Sequence, residues 1–378
     1  MQPFKEPIYV TRPMLPPVEE VESKLKDIWG TKWLTNCGNQ HQMLEKALKI
    51  KLKIPYLSLF NNCTTALMVS CRALGLSGEV ITTPFTFAAT PHVLAWNNIK
   101  PIFCDIDAVT MNIDADKIES MITSKTTGIL AVHVFGTPCD VEKIQDIAEY
   151  YGLKVIYDAA HAFGVEIDGR GIGTYGDVSA VSFHATKLYH TLEGGAVLSN
   201  SEELKKKIDY MKNFGIKDEE NVIMAGINGK MNEVQAAIGL INLQYVDQEI
   251  ANRKILTQIY REELNTVPGI KLPIVLQNIK QNYQYFVIRI NEKQYGFSRN
   301  YVYEKLKEYN IYSRKYFYPL CSDYTCYREL GSANQANLAN AVSVGDECLS
   351  LPLYGALDGD DVRKICAAIR EIRKGRSS

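Results

Sequence analysis

The sequence predicts an α/β protein with a mostly parallel β-sheet, followed by a smaller α+β domain. Three observations support this prediction. Short apolar runs bounded by turn residues alternate with helix-period segments over roughly residues 50–240, the pattern of βαβ units. A long helical segment follows, and the chain then closes with a shorter region of strands and helices. A length of 378 residues fits two domains, which we predict at 1–245 and 246–378.

The strands of the predicted sheet are short apolar runs, each ending at small or polar residues. In chain order they cover residues 57–60, 79–82, 100–104, 128–134, 154–157, 178–183 and 196–199. Amphipathic segments lie between several of them, and we predict helices over 65–74, 141–151 and 201–213. Because parallel strands need long crossover connections, this alternation favours a parallel sheet covered by helices.

The remaining elements lie outside this region. Near the amino end, residues 19–29 have a helical pattern within a partly irregular segment. Residues 231–261 predict one long helix that leads towards the second domain. There we expect a strand over 283–290, a helix over 300–309 and a closing helix over 358–374, with Asp358 as its N-cap.

Charge and cysteine content exclude several classes of function. The formal net charge is −1 and the chain has no basic tract, so nucleic-acid binding through phosphate neutralisation is not expected. No apolar run approaches the roughly 18 residues of a membrane span, and no signal peptide is evident. Nine cysteines without CxxC spacing indicate reduced thiols, and we expect a cytoplasmic protein. The six histidines form no HxxxH pair, so no metal site is predicted.

The segment from Gly171 to Gly176 matches the GxGxxG pattern of dinucleotide-binding folds. That motif works only between a strand and a helix N-terminus, whose amides face the pyrophosphate. Here the glycines follow the turn "IDGRGIG" and lead into the β-like run "DVSAVSF". We therefore interpret the motif as a turn between strands and reject a nicotinamide-dependent dehydrogenase.

Asp158 and Lys187 each follow a predicted strand of the sheet. Ligand crevices open at the carboxyl ends of such strands. Taken singly, Asp158 resembles a helix N-cap and Lys187 an ordinary surface charge. Together they fit pyridoxal 5′-phosphate chemistry, in which lysine forms a Schiff base with the aldehyde and a carboxylate pairs with the pyridine nitrogen.

Such a cofactor also needs a phosphate site and an aromatic platform. The segment "LFNNCTTALMVSCRAL" supplies a strand followed by a helix start, where the amides of Cys63 and Thr64 and the Thr64 hydroxyl are candidate donors. An ordinary N-cap is the alternative there. Ser182 is a further candidate hydroxyl. Phe87 of "TTPFTFAAT" is our choice for stacking on the pyridine ring, with core packing as the competing role.

As a set, these residues resemble the DegT/StrS-type sugar aminotransferases, pyridoxal-phosphate enzymes of the aspartate-aminotransferase fold (fold type I). The resemblance covers most of the chain. The motifs that carry it are "GTKWLTNCGNQHQMLEKAL", the phosphate loop, "TPFTFAAT", "DAAHAFG", "SFHATK..EGG", "GINGKMNEVQAAIGL" and "SRKYFYPL". The family's phosphate loop commonly has Ser-Gly-Thr where this chain has Asn62, Cys63 and Thr64.

The resemblance implies a role for each matching residue. Lys187 and Asp158 take the two catalytic roles given above, and His161 hydrogen-bonds the cofactor's phenolic oxygen. Thr64 and Ser182 bind the phosphate within the subunit. Asn228 is implied to reach the phosphate of the other subunit, which makes the protein a homodimer with shared sites; a tolerant turn residue is the alternative. The implied substrate contacts are Trp33, Tyr316, Phe317 and Tyr318, although the last three also fit the core of the small domain.

The family's substrates are nucleotide-linked keto-sugars, and L-glutamate is its usual amino donor. The motifs around Lys187 and at 316–320 most resemble the branch that aminates dTDP-4-keto-6-deoxyglucose, which implies a place in deoxyamino-sugar synthesis such as that of O-antigen lipopolysaccharide. A 3-keto-sugar aminotransferase and a sugar dehydratase are alternatives within the cofactor class. Some relatives with histidine in place of the lysine eliminate water, so Lys187 favours amino transfer. A non-catalytic regulator that keeps the fold is the alternative outside catalysis.

Overall fold

The computed structural model describes residues 2–375. The strands are β1 (Ile8–Tyr9), β2 (Tyr56–Phe60), β3 (Glu79–Thr82), β4 (Lys100–Phe103), β5 (Thr126–Val132), β6 (Lys154–Asp158), β7 (Glu166–Ile167), β8 (Arg170–Gly171), β9 (Val178–Ser182), β10 (Gly195–Ser199), β11 (Ile270–Lys271), β12 (Ile279–Lys280), β13 (Phe286–Ile290), β14 (Ile311–Tyr312) and β15 (Cys348–Leu351). The helices are α1 (Val18–Thr31), α2 (Asn39–Leu52), α3 (Cys63–Ala73), α4 (Ala89–Trp96), α5 (Ala115–Ile118), α6 (Val141–Tyr151), α7 (Glu202–Met211), α8 (Glu233–Leu264), α9 (Glu292–Tyr295), α10 (Arg299–Glu308), α11 (Ala339–Glu347) and α12 (Gly359–Lys374).

A seven-stranded sheet forms the centre of the molecule, in the order β2-β10-β9-β6-β5-β3-β4. Strand β10 is antiparallel to both of its neighbours, and the remaining pairs are parallel. Strands β6 and β9 lie side by side, with Asp158 opposite Ala180. The predicted mostly parallel sheet is confirmed, and the carboxyl ends of β6 and β9 meet at one edge.

Predicted and observed boundaries differ where a side chain or a turn intervenes. The predicted strand 128–134 is β5, which ends at Val132 because Phe135 adopts a left-handed conformation (φ 55°) that turns the chain. The predicted helix 65–74 is α3, which begins two residues earlier because the side chain of Asn62 accepts from the Thr65 amide at 2.8 Å. Asp358 caps α12, as predicted.

The carboxyl-terminal part has its own three-stranded sheet, β11-β13-β15, and its own apolar cluster. That cluster also takes in Phe4 and Ile8. Strand β1 pairs in parallel with β14, so the first residues of the chain pack against its last third. Helix α8 runs through position 245, and the division of the chain at that position stays a prediction.

The GxGxxG segment lies between two strands. Its first glycine ends β8, and β9 begins two residues after Gly176. A Cβ on Gly173 would lie 2.4 Å from the Leu198 side chain, so close packing against β10 requires glycine there. No nucleotide-binding helix follows the glycines, which supports their interpretation as a turn. Within residues 2–375, no helix is long and apolar enough to cross a membrane.

Candidate active site

A cleft of about 290 Å³ opens where β6 and β9 end. It brings together most of the predicted site residues, namely Cys63, Thr64, Phe87, Asp158, His161, Ser182, Lys187, Tyr316 and Phe317. A larger cavity of about 840 Å³ lies between α8 and residues 273–287, and none of these residues lines it. The chemistry of the lining therefore identifies the smaller cleft as the candidate site.

Asp158 is the last residue of β6, and its carboxylate is buried at the base of the cleft. One carboxylate oxygen accepts from the Thr90 hydroxyl at 2.8 Å and the other from the Ala160 amide at 3.0 Å. Burial raises the pKa of Asp158, and these hydrogen bonds together with the Lys187 amine oppose that rise. The two hydrogen bonds thus hold the carboxylate in one orientation at the cleft.

Lys187 lies in the turn that connects β9 to β10, and its backbone amide donates to the His184 carbonyl at 2.8 Å. Its amine lies 3.5 Å from the Tyr285 hydroxyl. Burial lowers the pKa of the Lys187 amine and the Arg314 charge lowers it further, while Tyr316, Asp158 and Cys63 act in the opposite direction. A larger share of the amine is consequently neutral near pH 7 than for a solvated lysine.

The segment 282–285 holds this turn against the end of β6. The side-chain oxygen of Gln284 accepts from the Leu188 amide at 2.9 Å. The side-chain amide of Asn282 donates to the carbonyls of His161 and Phe163, at 2.8 and 3.1 Å. The two polar side chains therefore tie together the loops that carry His161 and Lys187.

Helix α3 presents donors at its first turn. Asn62 uses the Thr65 amide, and among the hydrogen bonds of residues 2–375 none uses the amide of Cys63 or Thr64. A Cβ on Gly195 would lie 2.6 Å from the Cys63 nitrogen, so the glycine lets β10 pass directly beneath this turn. Free amides at a helix N-terminus form an anion site. Although this loop has Asn62, Cys63 and Thr64 instead of Ser-Gly-Thr, the amides of Cys63 and Thr64 are still available as donors.

His161 lies among aromatic rings at one side of the cleft. Its Nδ1 accepts from the Phe135 amide at 3.2 Å, which leaves the proton of the neutral ring on Nε2. Burial lowers the pKa of His161 well below the usual value, as does the charge of Lys187. The ring stacks on Phe317 at 6.0 Å between centroids. His161 is therefore a neutral imidazole with one hydrogen-bond donor to offer.

The aromatic residues divide by exposure. Phe87 is 57% exposed and lines the cleft, whereas Phe85 is fully buried against Phe135 and Phe317. Phe87 is thus available to a ligand in the cleft, and its stacking role stays a prediction. Tyr316 stands beside Tyr285, at 5.5 Å between ring centroids.

Three predicted residues lie outside the cleft of their own chain. Asn228 is exposed, and its backbone pairs with that of Asn213. Trp33 is exposed in the segment after α1, and Tyr318 is exposed beneath the Arg299 guanidinium. Their assigned roles stay predictions, and for Asn228 that role concerns a second subunit.

Sequence reasoning did not identify several residues that the cleft contains or rests upon. Tyr285 and Arg314 line it, and Thr90 supports Asp158 from behind. Tyr285 precedes β13, and the sequence predicts only a strand there. Thr90 and Arg314 lie within the motifs "TTPFTFAAT" and "SRKYFYPL", but the motifs assign no role to either residue. The residues described contain no group of acidic, histidine or cysteine side chains that could hold a metal ion.

Comparison with known proteins places these features in context. The model of the DegT/DnrJ/EryC1/StrS aminotransferase family matches residues 17–370. A dTDP-4-amino-4,6-dideoxy-D-glucose transaminase of Shigella dysenteriae is 46% identical over 98% of this chain and 100% of its own length. One of the same name from Escherichia coli is 48% identical over 95% of this chain and 96% of its own length. The crystal structure of DesI with its TDP-sugar product superposes with a TM-score of 0.95, at 33% identity, covering 100% of this chain and 96% of that one.

Proposed function

The chain belongs to the DegT/DnrJ/EryC1/StrS aminotransferase family, and on that premise we propose that it transfers the amino group of L-glutamate to dTDP-4-keto-6-deoxyglucose with pyridoxal 5′-phosphate as cofactor. The product would be dTDP-4-amino-4,6-dideoxyglucose. The observation that carries the proposal is the meeting of the Lys187 amine and the Asp158 carboxylate in one cleft with two free helix amides. The substrate follows from the two relatives that match almost the entire chain.

The donor set of the cleft fits this cofactor. The amides of Cys63 and Thr64 would bind the phosphate, and the hydroxyls of Thr64 and Ser182 lie on the same lining. The Nε2 donor of His161 suits the phenolic oxygen, and Phe87 supplies an exposed ring for stacking. When bound, pyridoxal phosphate supplies an aldehyde for the Lys187 amine and a pyridine ring that withdraws electrons from the reacting carbon.

Asp158 has an electrostatic task in this scheme. Its carboxylate would hold a proton on the ring nitrogen, which increases the ring's capacity to take up electron density. The side chain cannot turn away, because Thr90 and the Ala160 amide occupy both oxygens from behind. The attraction between the carboxylate and a protonated ring nitrogen would be stronger in the cleft than in bulk water, because less water screens the two charges.

Lys187 would carry the cofactor and then, once substrate has displaced it, move the proton. Burial lowers the pKa of the Lys187 amine, which favours the neutral form that can accept a proton. The Tyr285 hydroxyl lies 3.5 Å from the amine and would help to orient it. Amino transfer requires a group that accepts a proton and returns it, and the Lys187 amine would fill that role.

Arg314 supplies a site for the amino donor. Its guanidinium lies 4.8 Å over the Tyr316 ring at the cleft, and it has no ion pair with any residue of the described chain. A carboxylate is the natural partner of such a cation. We propose that Arg314 binds a carboxylate of L-glutamate.

We also propose that the enzyme is a homodimer that works in the cytoplasm. The exposed position of Asn228, away from its own cleft, supports a role towards a second subunit. All nine cysteines are free thiols, which fits a reducing compartment.

Incubation of the purified protein with L-glutamate and dTDP-4-keto-6-deoxyglucose, followed by NMR of the sugar, tests the proposal. A 4-amino sugar and 2-oxoglutarate are the expected products. An amine at C3, formed from the 3-keto isomer, would identify the alternative aminotransferase, and loss of water without nitrogen transfer would identify a dehydratase. Binding of the cofactor without any turnover would favour a regulator.

A further inference from the structure

Two threonine hydroxyls form a line of hydrogen bonds that ends at Asp158. Thr90 lies in α4 and donates to Asp158 at 2.8 Å, and the Thr86 hydroxyl lies 2.8 Å from that of Thr90. All three side chains are buried. A hydroxyl has one proton, and that of Thr90 goes to the carboxylate, so the proton between the threonines must come from Thr86. The donors therefore run in one order, from Thr86 through Thr90 to Asp158.

Several groups around Asp158 influence the pKa of its carboxyl, and the contribution of Thr90 can be distinguished from the others. Burial is the largest influence and raises the pKa of the carboxyl, and the Thr90 hydrogen bond is the first influence against it, followed by the Ala160 amide and the Lys187 amine. The titratable groups that face Asp158 are Lys187 and the Cys63 thiol, whose own pKa is raised well above its usual value by burial and by Asp158. Of the neutral side chains, Thr90 is the one that donates to the carboxylate.

We propose that Thr90, supported by Thr86, is a positioning residue that keeps Asp158 ionised and in one orientation, so that its free lone pairs face the cofactor's ring nitrogen. The positioning of Asp158 towards the ring nitrogen rests on the proposed function. The hydrogen bond from Thr90 to the carboxylate does not depend on it. Thr90 does not line the cleft, so removing its hydroxyl should change the ionisation of Asp158 without altering the lining, whereas Thr86 lines the cleft and would act on Asp158 through Thr90.

The test is a titration of Asp158 in protein freed of cofactor. Carboxyl carbons of aspartate are labelled with ¹³C, and the Asp158→Asn variant identifies the resonance. Thr90→Val keeps the shape and removes the hydroxyl, and it should raise the pKa of Asp158 by about one unit, a difference of about 1.4 kcal/mol. Thr90→Ser keeps the hydroxyl and should restore the wild-type titration. Thr86→Val should give a smaller shift in the same direction.

Thr82 provides the matched control. It is fully buried on β3, and its hydroxyl donates at 2.8 Å to the Leu130 carbonyl rather than to a carboxylate. Thr82→Val should leave the Asp158 titration unchanged. An unaltered titration in folded Thr90→Val protein overturns the proposal, and if that variant does not fold, an unaltered titration in Thr86→Val does so.

A second measurement uses the protein with pyridoxal phosphate added. If Asp158 must be ionised, a raised pKa means that activity is lost sooner as the pH falls, so the acid side of the pH–rate profile should move upward in Thr90→Val and not in Thr90→Ser. An unmoved profile beside a shifted titration overturns the positioning role. Absence of any visible absorption band on adding pyridoxal phosphate to wild-type protein would instead refute the proposed function, while the titration without cofactor still decides the Thr90–Asp158 bond.

Discussion

The Lys187 amine lies 3.5 Å from the Tyr285 hydroxyl, although 98 positions separate the two residues in the chain. The segment that carries Tyr285 also accepts the Leu188 amide through Gln284, and the Gln284 carbonyl accepts from Arg253 of α8 at 3.1 Å. The Lys187 amine thus lies against a segment that is in turn bound to α8 through Arg253. This arrangement has consequences for both catalysis and stability.

Removal of the Tyr285 hydroxyl should slow turnover without abolishing it. Tyr285→Phe takes away a neutral hydrogen-bond partner of Lys187, an interaction of about 0.5–1.5 kcal/mol, and we expect kcat to fall roughly two- to tenfold by the ~1.4 kcal/mol-per-decade rule. Steady-state kinetics measure the effect. Tyr295→Phe is the control, because that buried hydroxyl donates to the Ile369 carbonyl in the carboxyl-terminal cluster. Equal kinetics of Tyr285→Phe and wild type would contradict the role.

The ion pair behind this segment should matter chiefly for folding. Arg253 and Glu249 lie one turn apart on α8 and are both buried, with Nε and Oε1 2.6 Å apart. Arg253→Met leaves the Glu249 carboxylate buried without its partner, and we expect a loss of about 3–5 kcal/mol in the free energy of unfolding. Urea denaturation measures the loss.

Replacement of both partners separates pairing from packing. Because well-packed neutral residues often replace a buried ion pair at little cost, the Glu249→Gln, Arg253→Met double variant should recover part of the stability. A double variant as unstable as the sum of the single losses would show that the pair itself contributes nothing beyond its separate contacts.

Local patterns predict the sheet, which the structure confirms, and they place Asp158 and Lys187 in one cleft. Asp158 and Lys187 follow neighbouring strands, and parallel strands that pair side by side bring such positions to one edge. The residues that support Asp158 and Lys187 could not be predicted from local sequence patterns. Tyr285 approaches Lys187, and Thr90 approaches Asp158, only through the packing of elements distant in the chain, which no local period encodes.

The amino-terminal segment illustrates the same limit. Ile8 pairs with Ile311 and packs in the carboxyl-terminal cluster, a contact that the sequence does not predict. A strand of two residues is too short to show an alternating pattern. The strand pairs where the rest of the chain leaves an apolar surface uncovered. That surface exists only in the folded molecule.

The cofactor should be attached to Lys187 and to no other lysine. Among the lysines lining cavities of the described chain, Lys187 is the one that shares its cleft with Asp158 and the α3 amides. Purified protein should be yellow, and borohydride reduction followed by peptide mapping should place the pyridoxyl group on Lys187. Lys187→Ala should still bind the cofactor but retain no label. A label on a different lysine contradicts the assignment.

Loss of the Asp158 charge should affect chemistry more than binding. Asp158→Asn keeps the size of the side chain and its place beside Thr90, but it removes the charge that holds a proton on the ring nitrogen. We expect kcat to fall roughly 10²–10³-fold, the range seen when a preorganised electrostatic partner is lost, with a much smaller change in cofactor affinity. Rapid-mixing absorbance with L-glutamate and equilibrium binding of the cofactor measure the two. Turnover near that of wild type would contradict the role.

The last prediction concerns Asn228, which is exposed and does not line the cleft of its own chain. Its side-chain amide is a neutral donor, and a hydrogen bond from it to a charged phosphate would contribute about 1.5–3 kcal/mol. If that phosphate belongs to the partner subunit, Asn228→Ala should weaken cofactor binding roughly ten- to a hundredfold. Equilibrium titration of cofactor-free protein measures the change. Asn221→Ala is the control, since Asn221 is exposed in the same region and bonds to Asp218.

Subunit mixing decides whether the site is shared. Lys187→Ala and Asn228→Ala protein are each impaired at both sites of their own dimers. In a hybrid dimer with shared sites, one site carries both defects and the other carries neither, because Lys187 and Asn228 of the same site come from different chains. Activity should therefore reappear when the two variants exchange subunits. The upper limit is one fully active site in each hybrid dimer. If each site were built from one chain, every site in a hybrid would keep one defect, and verified exchange would restore nothing.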